Sequence, residues 1–106
     1  MGDKERYAAR RAALRQRYGS LYDFVLELLF EVDPAGINFE TNTDEYEPEV
    51  DTILPRLRED QTAEDLQRIV HEEFMRWFGV ETAGDAGKYL GIARRLHAEL
   101  ERRRLS

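Results

Sequence analysis

Three short runs in this chain have residue types and spacings that could support chemistry. His71-Glu72-Glu73-Phe74-Met75 begins like the H-E-x-x-H pair, in which two histidines one helical turn apart hold zinc and the glutamate serves as general base. Met75 stands where the second histidine belongs, and a single imidazole does not make a zinc site. Gly84-Asp85-Ala86-Gly87-Lys88 has the glycines and lysine of a phosphate-cradling loop. That loop needs glycine where Thr82 stands, Ser or Thr where Tyr89 stands, and a preceding strand. Asn38, Glu40, Asn42, Asp44 and Glu49 follow the 1, 3, 5, 7 and 12 spacing of an EF-hand calcium loop. The first position is Asn rather than Asp, the sixth is Thr43 rather than glycine, and the preceding helix ends too early.

Nucleophilic chemistry lacks material. The chain has no cysteine, and its two serines, Ser20 and Ser106, have no histidine–acid context. Asp23, Glu27, Glu31, Asp44 and Glu45 could be drawn as a carboxylate pair, but acidic residues four apart on a helix make a solvated face. The reading is a protein without catalysis, without metal and without cofactor.

Composition narrows the class. At 106 residues the chain reads as one helical domain over 1–106, long enough to bury a core without disulfides. No apolar run is long enough to span a bilayer, and the charged start is not followed by a signal-peptide core, so a cytoplasmic location without membrane contact is expected. The net charge of −6 conceals segregation. Residues 1–19 carry six basic and two acidic side chains, 20–82 four basic and seventeen acidic, and 83–106 six basic and three acidic. Basic terminal helices that neutralise an acidic middle, within one chain or across a homodimer, account for this pattern. The acidic block argues against nucleic acid as a partner.

The elements that would position these residues are helices. The expected fold is all-α: a bundle of four to five helices with one long structured loop, about 33–47, between helices 2 and 3. Helix 1 runs from about Asp3 to Tyr18, with Tyr7, Leu14 and Tyr18 on a stripe. Gly19 offers a break and Ser20 a cap for helix 2, while the 3.5-residue spacing from Tyr7 to Val32 also allows one continuous helix. The only polar stripe of helix 2 is Asp23, Glu27 and Glu31, so it belongs in the bundle centre. Helix 3 opens at Pro48, buries Val50, Ile53, Leu54 and Leu57, and is kinked or divided by Pro55. Thr62 and Asp65 form a capping box for helix 4, which buries Leu66, Ile69, Val70, Phe74, Trp77 and Phe78 and closes at Gly79. His71 falls on its exposed face. Helix 5 starts near Asp85 with Tyr89, Ile92, Ala93, Leu96 and Leu100 inward, and Gly87 and Gly91 allow close helix packing.

Loops longer than a dozen residues are either functional or disordered. Here Asp33, Pro34 and Gly36 shape a turn, Ile37 and Phe39 anchor the segment, and an acidic run follows. The motifs Asp33-Pro34-x-Gly36-Ile37, Glu45-Tyr46-x-x-Glu49, Ile53-Leu54 and Val70-x-x-x-Phe74 resemble a family of small bacterial all-helical domains of unknown function, itself loosely similar to immunity proteins. The resemblance covers roughly residues 20–79 and implies an all-helical fold with no established activity. The surface expected to meet a partner is Glu40, Asp44, Glu45, Tyr46, Glu47 and Glu49, with Tyr46 as an aromatic anchor among carboxylates. The expected partner is another protein with a basic surface, or a second copy docked through the terminal helices. The alternative is a small-ligand or cation site built from the same loop oxygens.

Overall fold

A computed structural model describes residues 3–36 and 46–105, with side chains described for all of these except 3–5, 7 and 105. Five α-helices make up the described residues: α1 Asp3–Tyr18, α2 Ser20–Val32, α3 Glu47–Ile53, α4 Ala63–Ala83 and α5 Leu90–Leu105. Two 3₁₀ turns, Leu54–Arg56 and Ala86–Tyr89, extend α3 and lead into α5. There is no strand among the described residues, and no helix among them is long and apolar enough to cross a membrane. The expected all-α architecture is the one the chain adopts.

α2 is central because its sequence leaves it no other place. Tyr22, Val25, Leu26, Leu28 and Leu29 are buried, while Asp23, Glu27 and Glu31 form the exposed stripe. It contacts α1, α3 and α5, and α4 packs on both α3 and α5. The shared core includes Val50, Ile53 and Leu54 from α3 and its extension, Leu66, Ile69, Val70 and Phe74 from α4, and Tyr89, Ile92, Ala93 and Leu96 from the last segment. These are the positions that three-and-four spacing assigned to the inner faces.

The breaks between elements have local causes. Gly19 has φ 54° and ψ −128°, a conformation that costs little only without a Cβ, so α1 and α2 are separate helices. Ser20 does not cap α2. It is the first helical residue, and its hydroxyl instead accepts a hydrogen bond from Arg103 Nη1 at 3.0 Å. Asp33 closes α2 in the left-handed region, with its N–H donating to Leu29 O at 2.8 Å. Pro34 is buried and Gly36 has positive φ, as the turn reading required. Pro55 cannot donate a backbone N–H, and α3 gives way to the 3₁₀ turn at that point. The capping box on α4 is complete: Asp65 N–H donates to Thr62 Oγ1 at 3.1 Å, and Thr62 N–H to Asp65 Oδ2 at 2.9 Å.

Four expectations for the second half of the chain need correction. Gly79 breaks α4 with φ 85° and ψ 164°, but a further helical turn follows to Ala83, and the helix closes at Gly84. Trp77 lies on the inner row of α4 but lines the open cleft between α1, α3 and α4, so it is 43 % exposed rather than core. His71 is not a free surface residue: its Nε2 donates to Gly84 O at 2.8 Å, and its ring stacks 5.3 Å from that of Tyr89. Tyr89 in turn donates to Ala83 O at 2.6 Å, so these two rings hold the junction of α4 and α5. Gly87 and Gly91 do not mediate close packing, because a Cβ at either position would meet nothing within 4 Å.

These two kinds of glycine should respond oppositely to alanine. Gly79→Ala forces a side chain into a region essentially reserved for glycine and should cost about 1–3 kcal/mol. Gly91→Ala, in an open helical position, should gain roughly 0.5–1 kcal/mol. Urea denaturation of both variants checks the pair. Equal effects would contradict the assigned backbone.

Candidate functional site

The charge segregation of the sequence resolves into a ladder between α1 and α3. Arg11 and Arg15 lie four residues apart on α1, and Glu47 and Asp51 lie four apart on α3, so each pair occupies one face of its helix. They meet in antiparallel sense. Arg11 Nε donates to Asp51 Oδ2 at 2.9 Å, Arg15 Nη2 donates to Glu47 Oε2 at 2.7 Å, and Arg11 Nη1 lies 3.8 Å from Glu47 Oε1. Tyr22 of α2 closes the arrangement, its hydroxyl donating to Asp51 Oδ1 at 2.6 Å. The Arg15 guanidinium sits over the Tyr22 ring, 4.3 Å from its centroid.

Burial divides these contacts by strength. The Asp51 side chain is 11 % exposed, whereas Asp23, which also accepts from Arg15, is 65 % exposed. The first is a buried hub joining three helices, and the second is a surface pair of small weight. For Arg11, burial opposes the charged form, but the hydrogen bond and charge of Asp51 outweigh it and hold the guanidinium above its ordinary value. Burial, reinforced by the bond to Asp51, pushes the Tyr22 hydroxyl well above the usual phenol range.

Beside the ladder lies a cavity of about 450 Å³. Ala8, Arg10 and Arg11 line it from α1, Pro48, Asp51 and Thr52 from α3, and Trp77 from α4. The Trp77 ring is fixed there: its Nε1–H donates to Thr52 Oγ1 at 3.0 Å, and Thr52 Oγ1 donates to Glu49 O at 3.2 Å. Arg10 is exposed and has no carboxylate within ion-pair distance among the described residues. The cleft therefore offers an immobilised indole, a proline face and an uncommitted guanidinium. That is a binding surface for an apolar group carrying or flanked by polar atoms.

The residues expected to contact a partner divide sharply. Tyr46 is fully buried and is no exposed anchor. Its ring packs on Phe74 and Phe78, and its hydroxyl donates to Asp33 Oδ1 at 2.6 Å and accepts from Ala35 N–H at 3.2 Å. It pins the Asp33-Pro34-Gly36 turn to the start of α3. Glu47 is turned toward the arginines of α1, its side chain 15 % exposed. Glu49 is 3 % exposed, faces the interior, and has one oxygen, Oε2, without a hydrogen-bond partner among the described residues. Glu40, Asp44 and Glu45 lie outside the described residues, as do all the calcium-like positions except Glu49. No group of three His, Asp or Glu side chains able to hold a metal occurs among the described residues.

Asp51 and Thr52 were missed from sequence. The available signal is the pair of oppositely charged i, i+4 couples, Arg11/Arg15 and Glu47/Asp51, which together define a contact. No protein-family model, curated protein or solved structure matches the chain, and the likeness carried by the D-P-x-G-I and E-Y-x-x-E motifs rests on those residues alone.

Glu49 makes a pH-dependent contribution. Burial raises its carboxyl to about 7, its own backbone N–H opposes the shift, and Asp51 adds to it. An unfolded glutamate titrates near 4.3, so the folded state alone bears the cost of a buried charge above pH ~7 and is relieved as pH falls toward 4. Glu49→Gln should stabilise by on the order of 2–3 kcal/mol at pH 8 and by little at pH 4.5. Urea midpoints at both pH values test this, and a pH-independent difference would rule it out. Asp51→Ala strands both Arg11 and the Tyr22 hydroxyl and should cost about 2–4 kcal/mol. Asp23→Ala should stay within about 0.5 kcal/mol of wild type.

Proposed function

We propose that the chain is a non-catalytic protein-interaction module of the immunity or antitoxin kind, recognising a partner with a basic surface through the cleft between α1, α3 and α4 and the acidic loop beside α3. The observation that carries this reading is Trp77. A tryptophan 43 % exposed and held in one orientation by Thr52 is an anchor whose ordering cost has already been met within the monomer. Val80, directly after the Gly79 break, is a second exposed apolar side chain at 72 %. Glu27, Glu59, Asp60, Glu64 and Glu81 are exposed and have no ion pair among the described residues, so the surface keeps an uncompensated negative field. Such a field speeds encounter with a cationic partner. Tyr46 and Glu49 act in this scheme by shaping the loop base and the start of α3, and Glu40, Asp44 and Glu45 carry the loop's charge.

The cavity supports a second reading, a small-ligand domain. Its volume of about 450 Å³ falls in the range that holds drug-sized molecules.

Affinity capture from the native host separates the two. The first reading expects a specific partner that is retained by wild type, weakened at least tenfold by Trp77→Ala, and weakened in a salt-dependent way by Asp44→Lys/Glu45→Lys. A partner that binds all three proteins equally would overturn it. Thermal shift against metabolites and metals tests the second reading: a ligand at one hundred times its Kd adds about 2.7 kcal/mol.

A further inference from the structure

A second cleft lies on the opposite stretch of α1 and shares no residue with the first. It has a volume of about 580 Å³. Its apolar floor comes from Tyr18, Leu21, Leu57 and Leu100, all partly buried against the core. Four arginines surround that floor: Arg17 from α1, Arg58 after the first 3₁₀ turn, and Arg103 and Arg104 from the end of α5. Glu59 and Glu101 are the only carboxylates lining it among the described residues.

The arginines differ from those elsewhere in the fold. Arg11, Arg15, Arg56 and Arg95 each reach across to a carboxylate on another element. Arg17, Arg58 and Arg104 have no carboxylate within ion-pair distance among the described residues. Arg17 lies over the Tyr18 ring at 5.5 Å. Arg58 directs Nη1 to Pro55 O and Leu57 O, both at 3.0 Å, which fixes the guanidinium at the cleft while leaving its other donors unused. Arg103 is already matched, donating to Glu99 Oε2 at 2.7 Å and to Ser20 Oγ at 3.0 Å. In a chain of net charge −6, four arginines against two glutamates around one apolar floor form a local cationic site, and three of those arginines have no ion pair among the described residues.

We infer that this cleft binds a small anionic amphiphile, with its carboxylate held by Arg17, Arg58 and Arg104 and its hydrocarbon body against Leu21, Leu57 and Leu100. Guanidinium–carboxylate pairs supply the head-group recognition. The floor supplies the apolar contact, and the volume suits a medium-chain acid. This assignment is independent of the partner-binding reading of the other cleft.

Isothermal titration with decanoate below its micellar concentration tests it, with decanol and decyltrimethylammonium as neutral and cationic probes of equal chain length. Decanoate should bind one per chain, at least tenfold more tightly than either probe. Arg17→Ala/Arg104→Ala should weaken it at least tenfold, whereas Arg94→Ala, which removes an exposed arginine of α5 outside the cleft, should not change it. Circular dichroism melts confirm that the variants remain folded. Absence of decanoate binding, equal binding of all three probes, or an unaffected double variant would overturn the inference. Flotation with anionic vesicles in the absence of decanoate binding would overturn it too, since it would make the arginines a membrane-surface patch.

Discussion

The Asp51 carboxylate is the contact on which the arrangement of the first three helices depends. Arg11 of α1, Tyr22 of α2 and Asp51 of α3 converge on one buried point, with donors at 2.9 and 2.6 Å. Apolar packing brings helices together but is tolerant of sliding and rotation. A carboxylate with one guanidinium and one phenol fixes both the height and the rotation of three helices at once. The rest of the site inherits that setting. Because α3 is held in register with α1, Pro48 and Thr52, with the Trp77 ring bonded to Thr52, share a defined cleft with Arg10 rather than a collapsed one.

The faces of α2, α4 and α5, the capping box at Thr62 and the division at Pro55 were legible in the sequence because each depends on residues within one helical turn. The site was less legible, because its contacts span long separations and follow no periodic rule. Tyr46 among Glu45, Glu47 and Glu49 reads as a surface aromatic. What buries it is Asp33, thirteen residues earlier, together with Phe74 and Phe78 from α4. Trp77 falls on the inner row of α4, but at its level that row meets an open cleft rather than packed side chains. Glu49 has the composition of a helix-start charge and the position of a core residue, and only the fold distinguishes the two.

Charge in this chain is therefore of two kinds. One kind is internal: Arg11, Arg15 and Arg56 meet Glu47, Asp51, Glu72 and Glu73 and set how the helices lie. The other is external and unbalanced in both signs, with negative side chains along α2 and α4 and arginines around the second cleft. Net charge alone does not separate these roles, since only a minority of the segregated charges visible in sequence belong to the internal kind.

The α1–α3 ladder also joins parts of the chain that are far apart in sequence. Arg11 and Arg15 precede their carboxylates by 40 and 32 residues, and the described side chains of α1 that touch the core are partly buried ones, Leu14 and Tyr18. α1 packs on α2, and the ladder to α3 adds a second, polar hold on it. Much of its hold on the rest is polar among the described side chains, a latch drawn over a bundle whose apolar interior is built from the helices after it.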